Sequence, residues 1–192
     1  MKGAAATLWT LALLAGAARA DQVFLREAEA PRALFGEGAA SADRKLLQLS
    51  DAELAELSRV IARKVELRDY PYLEVHGAAA DARAPRPLLG YVFLLEVLGQ
   101  SQPISFAVAV KPEGTLQDIQ VMVYREPHGD EIRERRFRAQ FAGKKRGDPL
   151  VVGKDVDAIT GATISSNSAA YAARKALALG EFLRSRAASK PP

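Results

Sequence analysis

Asp157-Ala158-Ile159-Thr160-Gly161-Ala162-Thr163-Ile164-Ser165-Ser166 is the stretch from which the rest of the chain is read. A hydroxyl residue stands on each side of Gly-Ala, and a carboxylate stands ahead of them. An alanine-rich pattern at helical spacing follows, from about Ser168 to Leu183, with Ala170, Ala173, Leu177, Phe182 and Leu183 on or near one face. A turn of small residues opening into a helix gathers unpaired N–H groups at the positive end of the helix dipole. Such a place suits an anion, phosphate above all. Gly161 permits a backbone conformation that a Cβ would forbid, Ala162 lets another group approach, and Thr163 holds a hydroxyl at the mouth. The same residues also read as an ordinary helix cap. Taken alone, the stretch is a phosphate-site candidate.

Upstream of it the pattern has period two. Leu73-Glu74-Val75 reads as a short strand and Leu89 to Leu98 as a long one. Ile104, Phe106, Val108 and Val110 alternate with Ser105, Ala107 and Ala109, giving a strand with one bulky face. Lys111-Pro112-Glu113-Gly114 turns the chain, and Leu116 to Tyr124 returns antiparallel. Glu131 to Phe141 then reads as a helix with Ile132, Phe137 and Phe141 inward and Arg133, Arg135, Arg136 and Arg138 on its basic side.

Toward the amino terminus, Glu27 to Leu34 reads as a short helix. Ser50-Asp51-Ala52-Glu53 is a capping box ahead of an amphipathic helix carrying Leu54, Leu57, Ile61 and Val65, which Asp69-Tyr70-Pro71 ends. Strands with helices before and after them give an α+β fold: an antiparallel meander packed with amino-terminal helices and a carboxy-terminal helix. Met1 to Ala20 has the layout of a secretory signal peptide: Lys2, an apolar Leu8 to Ala15, and Ala18-Arg19-Ala20 before Asp21. The expected segments are a leader at 1–20, an extension with the first strand at 21–87, a main domain at 88–183 and a polar tail at 184–192.

Composition closes several routes. The absence of cysteine excludes disulfides, thiolate metal sites, cysteine nucleophiles and haem attached through cysteine. Removing the leader takes Lys2 and Arg19 from 27 basic residues, leaving 25 against 23 acidic, so the net charge falls from +4 to +2. That gives no argument for nucleic acid. His76 and His128 show no metal-ligand spacing. Ser165 or Ser166 with His128 lacks the G-x-S-x-G elbow of a serine hydrolase. Asp155 and Asp157 could guide a transferase-bound magnesium or cap the next turn.

The run Asp157-Ala158-Ile159-Thr160-Gly161-Ala162-Thr163 resembles the flavinylation motif D-x-x-[ST]-G-A-T of the FMN-binding domain family. That domain occurs in subunits of the sodium-translocating NADH:quinone reductase, in Rnf-type complexes and in stand-alone exported flavoproteins. The resemblance runs roughly from Leu88 to Leu179. It implies FMN joined through a phosphoester to Thr163 by a flavin transferase that uses FAD, with Asp157, Thr160, Gly161 and Ala162 as the motif positions around it. Ser165, Ser166 and Asn167 would add hydrogen bonds to the phosphate or ribityl chain. The family's segment after the last strand carries a Glu, a small or Pro residue and a Gly, and Arg125, Glu126 and Gly129 match that shape. The Thr-Pro-Gly-Leu-Gly that follows the Glu in the membrane-complex subunits is missing here, which points to the stand-alone branch. One or two of the arginines in 133–138 would stabilise charge on reduced flavin.

The expected function is therefore an exported, periplasmic or outer-face electron-transfer flavoprotein, a redox carrier rather than a complete enzyme. Its partners would be the transferase and a membrane quinone-linked or cytochrome component. The other reading is an exported accessory or binding module of the same fold with noncovalent flavin or none.

Overall fold

The alternation between Pro103 and Val110 sorts side chains by size, and the structure uses each set on a different face. The computed structural model describes residues 21–81 and 83–189; the leader expected at 1–20 lies outside them. Six strands form one antiparallel sheet: β1 (Gln22–Val23), β2 (Ser41–Gln48), β3 (Asp69–His76), β4 (Leu88–Leu98), β5 (Pro103–Val110) and β6 (Leu116–Tyr124). Their spatial order is β1-β6-β5-β4-β3-β2. The architecture is the expected α+β meander, with β1 added beside β6 at one edge.

The bulky face carries Tyr70, Tyr72, Phe93, Leu95, Ile104, Phe106, Val108 and Val110. Ala107, Ala109, Val92, Leu73 and Val75 line the opposite face, where α1 (Ala30–Phe35) seats Ala30 and Leu34. Against the bulky face lie α2 (Asp51–Val60) and the long α4 (Thr163–Ala188). Alanines at 169, 172, 173 and 176 are buried along α4. At Gly180 even a Cβ would stand 3.0 Å from the Val110 side chain. Small residues on the helix thus meet large ones on the sheet, and the two layers pack closely. Most of α4 from Ser165 to Gly180 is buried rather than one stripe of it, because α2 and the chain before the helix cover its other sides.

Several elements differ from the sequence reading. The Ser50 capping box forms, with Ser50 N–H donating to Glu53 at 2.8 Å and Glu53 N–H to Ser50 Oγ at 3.3 Å. The helix behind it nevertheless stops at Val60, and Ala62 has φ of 51°. Val65 is therefore outside it, held through its N–H by Ser58 Oγ at 3.0 Å. Asp69-Tyr70-Pro71 does not end that helix; it begins β3. Pro71 pairs with Leu46 and lies beyond Tyr72, where the β4 ladder stops, so its missing N–H breaks no bond on that side. β2 escaped notice because Asp43, Arg44 and Lys45 are exposed on an edge strand, where charge is common. The helix expected over 131–141 is two pieces, a 3₁₀ turn at Asp130–Arg133 and α3 (Arg135–Arg138), broken by extended Glu134. Ile132, Phe137 and Phe141 still point inward.

Inside this packing sits a lysine. Lys175 is 8% exposed, and its ammonium lies 4.6 Å from the centre of the Tyr70 ring. Burial pushes its pKa down to about 8. The ring's quadrupole offsets part of that cost. Between pH 8 and 10.5 the unfolded chain holds a proton that the folded chain has released, so this group's contribution to stability rises with pH there. Lys175→Met should raise stability at pH 7 by about 1–3 kcal/mol. In chemical denaturation series, the gap between the two proteins should narrow as pH passes from 8 to 10.5.

Candidate functional site

The decisive stretch forms a turn at the head of α4. Gly161 has φ of +81° with open space where a Cβ would point, a left-handed position that favours glycine. Ala162 is the N-cap, and no side chain caps the helix. The ordinary-cap reading of Thr160 and Thr163 is thereby answered: neither hydroxyl takes that role. The first helical amide with a backbone acceptor is Ser166 N, which donates to Ala162 O at 2.9 Å. The N–H groups of Thr163, Ile164 and Ser165 have no acceptor among the described residues and lie at the dipole's positive end. Thr160, Gly161 and Thr163 are all exposed.

Behind that open front the turn is fastened. Ser166 Oγ donates to Ala162 O at 2.9 Å and accepts from Ile159 N at 3.2 Å. Gln140 takes the Asp157 N–H at 2.7 Å, leaving the Asp157 carboxylate exposed. Tyr124 Oη donates to His128 O at 2.5 Å, so Ser165 Oγ must donate to Tyr124 Oη, 2.7 Å away. Ser165 and Ser166 are both buried and committed to the protein, whereas Asn167 is exposed and donates to Thr163 O.

Gly129 closes against this knot. Its φ is +99°, and a Cβ there would lie 2.7 Å from Tyr124 Oη and 2.8 Å from Ser165 Oγ. It is at once a close-approach glycine and the entry to the 3₁₀ turn at Asp130–Arg133. Glu126, 5% exposed, accepts from Ser101 N at 2.6 Å, Gln102 N at 2.8 Å and Ser101 Oγ at 2.9 Å. Burial would raise its pKa, but the Gln102 and Ser101 amides and the Ser101 hydroxyl together hold it below the usual carboxylate value. Ser168 Oγ on α4 donates to Leu98 O at 3.0 Å, so the same hairpin also touches the helix.

Not every expected residue gathers here. Arg125 turns aside to Asp21 at 3.0 Å and to Pro103 O and Ser105. Asp155 caps its own loop through the Val151 and Leu150 amides and pairs with Lys144 at 2.7 Å. Arg133 pairs with Asp130, and Arg138 with Asp118. Arg136 does reach the motif: with Phe137, Gln140, Asp157, Ala158 and Ile159 it lines a cleft of about 320 Å³. The larger hollow of about 940 Å³ between α1 and β2 lies on the other face of the sheet and holds no motif residue. Among the described residues no group of acidic or histidine side chains could hold a metal ion.

The family described as the FMN-binding domain matches residues 99–178, from the Gly99 hairpin through the motif into α4. The chain carries an FMN-binding domain. A crystal structure of NqrC from Shewanella oneidensis shares the fold, with a TM-score of 0.50 and 19% sequence identity over 80% of this chain and 84% of that one. Comparison with curated proteins gives no match. The shared fold covers more of the chain than the family match does, so it extends beyond residues 99–178. The residues of the FMN-binding domain fit a flavin phosphate on their own geometry: uncapped amides, an open flank at Gly161 and an exposed hydroxyl stand together. Tyr124, Ser101, Gln102 and Gln140 position these parts and were missed in the sequence. Only the register of the fold brings them near the motif.

Gly129→Ala should cost the domain about 2–4 kcal/mol in denaturant unfolding, since the new methyl meets two hydroxyls at a left-handed φ. Glu126→Gln should cost about 1.5–3 kcal/mol at pH 7. The folded pKa is depressed, so the carboxylate stabilises above its ordinary value of 4.5. That contribution fades as pH falls through the folded value. Stability curves of the two proteins should therefore converge on acidification.

Proposed function

We propose that the protein is an exported electron-transfer flavoprotein bearing FMN in a phosphoester on Thr163. The observation that carries this is an exposed threonine hydroxyl at the first position of a long helix whose opening amides no side chain caps. Loading is transfer from FAD by a flavin transferase. Thr163 Oγ1 bonds to the phosphorus of the flavin half, the pyrophosphate P–O bond breaks, AMP leaves, and the hydroxyl proton passes to solvent or a base of the transferase. The N–H groups of Thr163, Ile164 and Ser165 would hold the phosphate, and Gly161 leaves room beside them. Arg136 in the adjoining cleft would supply a cation toward the flavin, while Gln140 holds the motif in place through the Asp157 backbone. Once attached, FMN supplies one- or two-electron redox chemistry.

A membrane quinone-linked or cytochrome component would exchange those electrons. No helix among the described residues is long and apolar enough to cross a membrane. Outside the cytoplasm a freely dissociating cofactor would be lost by mass action, and a covalent bond prevents that.

The mature chain made with a flavin transferase should gain the mass of FMN less water and stay yellow after acid denaturation. Thr163→Ala should lose both, and Thr163→Ser should keep them. A Thr163→Ala protein that stays equally yellow after denaturation would overturn the assignment. Colour lost on denaturing the native protein would mean noncovalent FMN instead.

A further inference from the structure

About three turns down α4 from Thr163, on the order of 16 Å along the axis, a second cleft opens between the helix and the chain at 145–150. Its volume is about 280 Å³, near the lower limit for small-ligand sites. Val60, Leu150 and Leu177 form its apolar floor, and Lys145, Arg146 and Arg174 stand around it. Two nearby acids offset only part of this charge. Asp148 accepts the Lys145 backbone N–H at 2.8 Å, and Glu56 takes Arg146 while also holding Arg59. Neither Lys145 Nζ nor the Arg174 guanidinium has a carboxylate partner among the described residues. The Nε of Arg174 is covered by protein atoms and makes no hydrogen bond, so a group in the cleft meets the guanidinium through its terminal nitrogens.

An arginine can lay its stem over apolar side chains while its terminal nitrogens stay open to an acceptor. A guanidinium fork accepts carboxylate or phosphate, and it is the apolar floor that favours a carboxylate on a short apolar stem over a fully hydrated inorganic phosphate. We infer that this cleft is a carboxylate-binding site, with Arg174 as the paired cation and Val60, Leu150 and Leu177 receiving the stem. The carboxylate belongs either to a small free acid or to the terminus of a protein chain. This inference does not depend on the flavin, and its test is read without it.

The mature chain, with and without attached flavin, would be titrated with 4-methylpentanoate while amide NMR signals of 145–150 and 174–177 are followed. 4-Methylpentanamide and inorganic phosphate serve as controls. The acid should saturate those signals, the amide should bind at least tenfold more weakly, and Arg174→Gln should weaken the acid by roughly tenfold or more. Lys145→Gln, a surface change, should have a smaller effect and checks that the fold is kept. A peptide ending in a free leucine carboxylate that binds tighter than the acid, and loses this when amidated, would assign the site to a protein partner. Tighter binding of the free acid would assign it to a small metabolite. Equal binding of acid and amide, phosphate binding as tight as the acid, or indifference to Arg174→Gln would overturn the inference.

Discussion

Close packing of α4 on the bulky face of the sheet is the constraint from which the site follows. Phe93, Phe106, Val108 and Val110 fill the space, and the helix approaches because it brings alanines and Gly180 instead of large side chains. Exchanging volume in this way fixes the helix axis, since a well-packed interior resists even one extra methylene. Two hydrogen bonds then set its rotation and height: Ser168 to Leu98 O and Ser165 to Tyr124. Where Thr163 stands is a consequence of those contacts, made two and five residues downstream and deeper along the helix.

A helix anchored so firmly can leave its own beginning unfinished. Alanine at the N-cap forgoes about 1 kcal/mol relative to a serine, threonine, asparagine or aspartate. Thr160 and Thr163 are close enough in sequence to have supplied a cap, and Ser50 shows the chain using one at α2. The start of α4 is the place where local preference and structure disagree, and such disagreements concentrate at functional sites. Burial along the rest of the helix outweighs the loss, so the first-turn amides stay available for an external acceptor.

That disagreement also marks how far the sequence could be read. The bulky alternation of β5, the Lys111–Gly114 turn and the limits of β6 follow from local chemistry and appear as expected. The motif's position at a helix start was equally legible, because Gly161 and the alanine run act over a few residues. β2 was not, since an edge strand whose outer residues are charged carries no period-two signal. The early end of α2 depends on tertiary contacts of Ile61 and Val65, which continue the apolar spacing after the helix has stopped. Glu126 was read as a segment marker, yet its partners Ser101 and Gln102 come from a hairpin 24–25 residues away, and no local pattern points to them.

The arrangement also bears on what kind of flavin protein this is. An enzyme acting on a bound substrate needs a concave, water-excluding pocket with convergent polar groups. Here the hydroxyl stands on an exposed rim, Ile164 beside it is 47% exposed, and the adjoining cleft is small. Such a front gives a dissociable nucleotide few contacts to hold it, while leaving any group fixed there open to approach by another protein. Under the proposed reading, retention comes from a bond rather than from enclosure. On that reading, the same openness that makes the phosphoester necessary is what makes electron exchange with a partner surface accessible.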